Sequence, residues 1–231
     1  MITLAMDTST ALGAVALLQD KRQPAEIAFP RGGAKASGRD QHLFGAIQQV
    51  LRQQRLSARD VELVAVGVGP GSFTGIRVAI AAAKGLALPY TRPIKAVSSF
   101  DALALTVLSQ TPAECAQMCL LSDARRNEVY CASYDRAGRC VGDCRITFLE
   151  QLIEAIALPT WFVSAEMEHF GDALRKFNNR FVHIAAASLY PSATTVGQLA
   201  QRSFHEDAGN SGQRLEPIYL REANYRKVTD P

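Results

Sequence analysis

The chain has 231 residues, 48% of them hydrophobic and 20% charged, with a formal net charge of +3. That length and composition suit an ordinary globular protein with one large domain or two small ones. So small a net charge does not by itself mark a nucleic-acid binder, whose usual signature is a concentrated basic patch.

The first elements read as a hairpin. Ile2, Leu4 and Met6 alternate, Asp7-Thr8-Ser9-Thr10 makes a polar turn, and residues 14–18 run out as a second apolar strand. A further strand is expected over 26–29. The glycine-containing stretch 31–38 has the composition of a flexible loop. Leu43, Ile47, Val50 and Leu51 then recur at helical spacing, which predicts an amphipathic helix over 42–55. Ser57 with Asp60 resembles a short capping turn.

Residues 61–68 form an apolar strand that feeds the turn Gly69-Pro70-Gly71-Ser72-Phe73-Thr74-Gly75, and an alanine-rich helix is expected over 76–88. A strand, a glycine loop and a helix N-terminus in that order either cradle an anion on backbone N–H groups or seat a helix tightly on a sheet. The spacing excludes three better-known motifs. Where a dinucleotide fingerprint needs its last glycine, Ser72 or Thr74 stands; no Gly-Lys-Ser/Thr follows for a Walker loop; and Ser72 is not in a G-x-S-x-G elbow. Ser72 or Thr74 is left as the helix cap, with Asp7, Gly69, Gly71 and Ser72 as candidate contacts to a nucleotide or other anion. Small residues cover more than one side of the helix (Ala79, Ala81, Ala82, Ala83, Gly85), so a sheet and a partner helix can both approach it.

Strand 94–97 follows, then a helix through residue 108 capped by Ser98 or Ser99. The stretch 110–114 reads as a linker, which divides the chain into domains 1–109 and 110–231. In the second, paired strands are expected over 118–121 and 128–134 around the charged cluster Asp123, Arg125, Arg126 and Glu128. Thr147 and Glu150 resemble a capping box opening a helix to residue 157. A strand over 161–163, a helix over 168–177 and a helix after Ser192 to residue 204 complete the chain. In each half strands come first and helices after, which suggests two related α/β layers.

Chemistry-bearing residues are sparse elsewhere. His42, His169, His183 and His205 show no ligand spacing, and Cys115, Cys119, Cys131, Cys140 and Cys144 read as reduced thiols rather than a zinc site. No signal-like start or bilayer-length apolar run is present, so a cytoplasmic protein without membrane contact is expected. Two basic clusters, Arg52, Arg55, Arg59 and Arg221, Arg226, Lys227, read as solvated faces and tails.

The run Gly69-Pro70-Gly71-Ser72-Phe73-Thr74-Gly75-Ile76-Arg77 closely resembles the signature of the bacterial TsaB (YeaZ) family. Three other stretches agree in order: Leu4-Ala5-Met6-Asp7-Thr8-Ser9-Thr10, Asp123-Ala124-Arg125-Arg126-Asn127-Glu128-Val129-Tyr130 and Glu216-Pro217-Ile218-Tyr219-Leu220-Arg221. The resemblance implies a two-domain α/β fold of the actin/hexokinase/Hsp70 (ribonuclease H-like) type. It further implies a non-catalytic scaffold or dimerisation subunit in making N6-threonylcarbamoyladenosine at position 37 of tRNA. The implied partners are a TsaD-like catalytic paralogue, a TsaE-like ATPase and tRNA through the complex, with a homodimer when the chain is alone.

Where TsaD-like proteins carry a His-x-x-x-His metal pair, Ser99 and Leu103 stand here, so no metal and no catalytic residue are expected. Thr8 and Ser9 replace the Asp-x-Gly-Thr pattern of ATP-binding relatives, so no tightly bound cofactor is expected, and ATP or ADP is placed only at the interface with the paralogue. The two N-terminal helices become the partner surface, with Leu43, Ile47, Val50, Ile76, Ala79, Ala82 and Ala83 as its candidate residues. Arg39, Asp40 and Gly45 depart from the family's usual first long helix, and Asn127 stands where glycine is common. The competing reading is an independent ATPase or small-molecule kinase of the same fold. A metallopeptidase is disfavoured by the lack of H-E-x-x-H.

Overall fold

Strands β1 (Ile2–Asp7) and β2 (Leu12–Gln19) are buried along nearly their whole length, because helices cover both faces of the sheet they open. The computed structural model describes residues 1–20, 22–30, 39–177, 180–206, 215–218 and 220. Strand β3 (Ala25–Pro30) pairs antiparallel with β2, while β4 (Leu63–Gly67) and β5 (Ile94–Val97) add in parallel beside β1. The resulting order is β3-β2-β1-β4-β5.

The side-chain period of two sorts this sheet into unlike faces. Leu4, Met6, Val15, Leu17, Val64 and Val66 face helices α1 (Arg39–Gln53) and α2 (Phe73–Ala87). Ala5, Ala14, Ala16 and Ala65 face the other way, against the final helix α6 (Ala193–Glu206). The alanine face lets α6 lie close: a Cβ added at Gly197 would stand 2.5 Å from Leu18 Cδ1 and 3.2 Å from Ala5 Cβ.

The second half repeats the first. Strands β6 (Gln117–Arg125), β7 (Glu128–Asp135) and β8 (Cys140–Phe148) form an antiparallel meander; α4 (Leu149–Glu154), β9 (Thr160–Ser164), α5 (Met167–Lys176) and β10 (Val182–Ile184) follow. Its sheet runs β10-β9-β6-β7-β8, with β9 parallel to both β6 and β10. Counted within its own half, each sheet has the order third-second-first-fourth-fifth and the same strand directions. The duplication suggested by the order of elements is therefore present in the topology.

Each half also sends its last helix to the other. Helix α3 (Ser99–Val107), which follows β5, buries Phe100, Leu103, Ala104 and Val107 in the core of the second sheet. Helix α6 packs on the first sheet. Glu26 on β3 caps α6, its carboxylate accepting from Ser192 Oγ (2.7 Å) and from the backbone N–H groups of Ala193 (3.1 Å) and Thr194 (2.9 Å). An anion at a helix N-terminus satisfies orphan donors and the dipole together. Asp101 of α3 accepts from Tyr134 Oη at 2.7 Å, a second tie between the halves.

Some expected elements differ. The helix expected to reach residue 157 is the short α4, ending at Glu154, and the Thr147 capping box is not formed. Thr147 lies inside β8, paired with Val129, and its hydroxyl meets Gln151 Oε1 instead (3.4 Å). Strands β8 and β10 lie where no strand was expected. The loop 31–38 and the basic cluster Arg221, Arg226 and Lys227 fall outside the described residues.

Candidate functional site

The glycine loop is laced to the turn between β1 and β2. Asp7 ends β1 with its side chain buried, and its Oδ1 accepts from Ser9 N–H (2.7 Å) and Ser9 Oγ (2.6 Å), as an Asx turn does. Its Oδ2 accepts from Ser99 Oγ at 2.6 Å. Ser99, at the start of α3, also accepts the Gly69 N–H at 3.1 Å and donates its own N–H to Gly69 O at 2.8 Å. Thr8 Oγ1 donates to Gly75 O at 2.6 Å, and Ser72 N–H donates to Ser9 O at 2.7 Å.

The glycines are explained by these contacts. A Cβ at Gly67 would lie 1.9 Å from Asp7 Oδ2, and one at Gly71, whose φ is +148°, would lie 2.4 Å from Ser9 O. Gly69, at φ +96°, precedes a cis bond to Pro70. Ser72 caps α2, its Oγ accepting from Gly75 N–H at 3.3 Å, so it is the cap in preference to Thr74. Asp7, Gly69, Gly71 and Ser72 thus lie close together, with the Ser72 N–H bonded to the β1–β2 turn and the Gly69 N–H to Ser99. Ser99 completes the cluster. Its role as a buried donor to Asp7 carries no signal in the local sequence.

The seven residues expected at a partner surface require correction. Leu43, Ile47, Val50, Ile76, Ala79, Ala82 and Ala83 are all buried in the core that α1 and α2 make with the first sheet. The outward side of α2 is a different stripe: Phe73, Arg77, Ala81, Lys84, Gly85 and the following Leu88, which is 81% exposed. Arg77 lies over the Phe73 ring, 3.7 Å from its centroid. On α1, Phe44 and Gly45 are exposed, and a Cβ at Gly45 or Gly85 would meet nothing within 4 Å. Glycine inside a helix costs about 1 kcal/mol against alanine, and packing among the described residues gives no reason for it at either position.

In the second half the tip of the β6–β7 hairpin has Arg126 and Asn127 at φ +57° and +63°, the pair of left-handed residues that a tight hairpin turn requires. Asn127 thus takes the conformation for which glycine is common. Arg125 pairs with Asp123 at 3.0 Å, the salt-bridged hairpin that the charge cluster allowed. A cleft of about 650 Å³ opens beside this tip, bordered by Phe148, Glu150 and His169. Cys115, Cys119 and Cys131 are buried free thiols, Cys140 is exposed, and no group of three metal-ligating residues occurs among the described residues. Burial pushes the Cys119 and Cys131 thiols up and raises Cys144 to about 12.

Comparison with known proteins agrees over almost the full length. Residues 36–220 match the family described as TsaD: tRNA N6-adenosine threonylcarbamoyltransferase. The tRNA threonylcarbamoyladenosine biosynthesis protein TsaB of Escherichia coli is 29% identical over 96% of this chain and 95% of its own. Its namesake in Haemophilus influenzae is also 29% identical, over 97% and 96%. The solved structure of YeaZ from Pseudomonas aeruginosa superposes with a TM-score of 0.75 at 27% identity, covering 95% of this chain and 99% of that one. The chain belongs to the TsaB (YeaZ) family.

The wider fold agrees as well. An inorganic polyphosphate/ATP-glucomannokinase from Arthrobacter superposes with a TM-score of 0.50 over 89% of this chain at 9% identity, a likeness of fold alone. Within the TsaB family frame, the paired mixed sheets are those of the actin and sugar-kinase type, as the glycine signature implied. No helix among the described residues is long and apolar enough to cross a membrane.

Proposed function

We propose that this chain serves tRNA threonylcarbamoyladenosine biosynthesis as a non-catalytic subunit that supports a TsaD-like catalytic paralogue and works with a TsaE-like ATPase. The observation that carries the non-catalytic reading is the Ser99–Asp7–Ser9 lock. The Asp7 carboxylate holds three hydroxyl and amide donors, and Ser9 O takes the Ser72 N–H. A metal–phosphate group at Asp7 would have to compete with these donors for the carboxylate oxygens.

The outward stripe on α2, with Phe44 and Gly45 of α1, supports helix-to-helix association. Its aromatic and small residues let a second helix approach closely. The TsaD-like paralogue is its proposed occupant, a second copy takes its place when the paralogue is absent, and any ATP or ADP lies at that interface. Reconstitution with purified components tests the assignment. Transfer of the threonylcarbamoyl group to tRNA should require this chain together with its TsaD-like partner, and this chain alone should neither turn over ATP nor modify tRNA. Magnesium-dependent ATP turnover by the isolated chain would favour the independent ATPase or kinase and contradict this reading.

A further inference from the structure

We propose that the end of the first sheet where β4 and β5 begin is an RNA-contact surface, which the chain uses to hold the phosphate backbone of the tRNA; the identity of that RNA rests on the function proposed above. Arg52 lies in the last turn of α1, Arg55 two residues beyond the helix, and Arg59 in the single helical turn Ala58–Asp60 that leads to β4. Arg92 joins them from the connection into β5, its guanidinium donating to the Arg59 backbone carbonyl at 3.1 Å. Arg52, Arg55 and Arg59 are exposed.

Among the described residues no carboxylate lies within ion-pair distance of any of these four cations, although Arg59 helps Ser57 hold the Asp60 carboxyl below its usual range. Asp60 accepts from Ser57 N–H and Oγ, at 2.8 and 2.7 Å. Glu62 accepts the Ile2 N–H at 2.5 Å and lies 3.8 Å from the Met1 amino group, which also pairs with Asp20. The Arg92 guanidinium is anchored on the Arg59 backbone carbonyl, and its Nε has no hydrogen-bond partner among the described residues. A folded protein keeps like charges together most readily where a polyanion neutralises them.

The remaining chemistry fits single-stranded or loop RNA. Tyr90, 40% exposed, stands two residues before Arg92 in the turn after α2, and Lys84 lies in the last turn of α2. A basic strip beside an exposed aromatic ring offers both a phosphate contact and a stacking platform. Leu88 and Tyr90 lead directly from the end of α2 to Arg92, so an RNA held at Arg92 would pass beside the proposed partner surface. The loose cluster that composition assigns to solvated faces gains a fourth member, Arg92, only in three dimensions.

The test uses the full chain, alone and mixed with the TsaD-like protein, and an unmodified tRNA transcript as probe, with affinity read by fluorescence anisotropy across roughly 50–200 mM salt. The variant R52Q/R55Q/R59Q/R92Q should bind at least about tenfold more weakly, and its plot of log affinity against log salt should flatten by about 2 to 3. R52Q/R55Q, which leaves the Arg59–Arg92 contact intact, should show about half of that flattening. Tyr90→Ala should weaken binding severalfold without changing the slope. Arg175→Gln, on a distant helix, should change neither. Wild-type affinity and slope in both arginine variants would overturn the proposal, as would equal competition by polyglutamate, which would mark a protein-docking surface. A chain that supports modification yet binds RNA unchanged by these substitutions overturns this inference alone. Loss of RNA affinity in the variants, in a chain that never associates with the TsaD-like protein, overturns the function proposed above instead.

Discussion

Ser99 donates its hydroxyl to the Asp7 carboxylate at 2.6 Å and accepts the Gly69 N–H at 3.1 Å, so one small side chain joins β1, α3 and the glycine loop. The three elements lie far apart in sequence. Removing the hydroxyl strips a buried carboxylate oxygen of that donor and a buried amide of its acceptor. Ser99→Ala should therefore destabilise the fold by about 2 kcal/mol, read as a shifted urea midpoint with unchanged m-value. An unchanged midpoint would show that the lock is not formed in solution.

Gly67 makes the complementary point. Because its Cβ would fall 1.9 Å from Asp7 Oδ2, Gly67→Ala must expel the carboxylate or bend β4. A loss of about 3 kcal/mol or failure to fold is expected. A variant as stable as the parent would mean that Asp7 points elsewhere.

Glu26 and the N-terminus of α6 test the exchange of helices between the halves. Glu26→Ala removes a carboxylate that takes two backbone N–H groups and the Ser192 hydroxyl. A loss of about 1–2 kcal/mol should follow, with faster amide exchange in α6 ahead of α1. Uniform exchange would argue that α6 is held by packing on Ala5 and Leu18 alone.

Stability should also fall on the alkaline side. Burial raises the thiols of Cys119, Cys131 and Cys144, and burial together with the Asp101 carboxylate raises the Tyr134 hydroxyl. Each of the four ionises at higher pH in the folded chain than in the unfolded one, where Cys and Tyr ionise at about 8.5 and about 10. Above about pH 8.5 the unfolded state binds fewer protons, so the contribution is intact below that value and is lost progressively as pH rises toward 12. Melting temperature under reducing conditions should be level from about pH 7 to 8 and drop steadily by pH 10.5. A flat profile through pH 10.5 would contradict the buried placement of these groups.

How far the sequence could be read depended on burial. Residues 2–18 and 61–68 are legible because both faces of their strands are buried and polar or glycine-rich turns mark their ends. The edge strand β8 was not: its residues are mostly exposed, and Gly142, Asp143 and Arg145 erase any alternation. Strand β10 is three half-buried residues. The Thr147 box failed because pairing to β7 claimed that residue first. Asp7, Gly69, Gly71 and Ser72 stand out in the sequence as candidate anion contacts, but the tie that Ser99 makes to Asp7 spans 92 residues. The alanine helix misled in one respect. With both faces small, spacing alone could not tell the buried Ala79, Ala82 and Ala83 from the exposed Ala81 and Gly85.

That distinction yields the interface prediction. Ala81→Arg and Gly85→Glu should leave the melting temperature within a few degrees, since neither position is packed, yet should weaken association with the TsaD-like protein at least tenfold. Ala83→Arg should instead unfold the chain, because Ala83 is fully buried. Pull-down with intact affinity for both exposed variants would move the partner surface off α2.

The central claim concerns tRNA modification, and nucleoside mass spectrometry tests it most directly. In cells depleted of their own TsaB protein, expression of this chain should return N6-threonylcarbamoyladenosine in bulk tRNA to near the undepleted level, while the Gly85→Glu variant should not. Modification that stays at the depleted level with the wild-type chain folded and abundant would contradict the account.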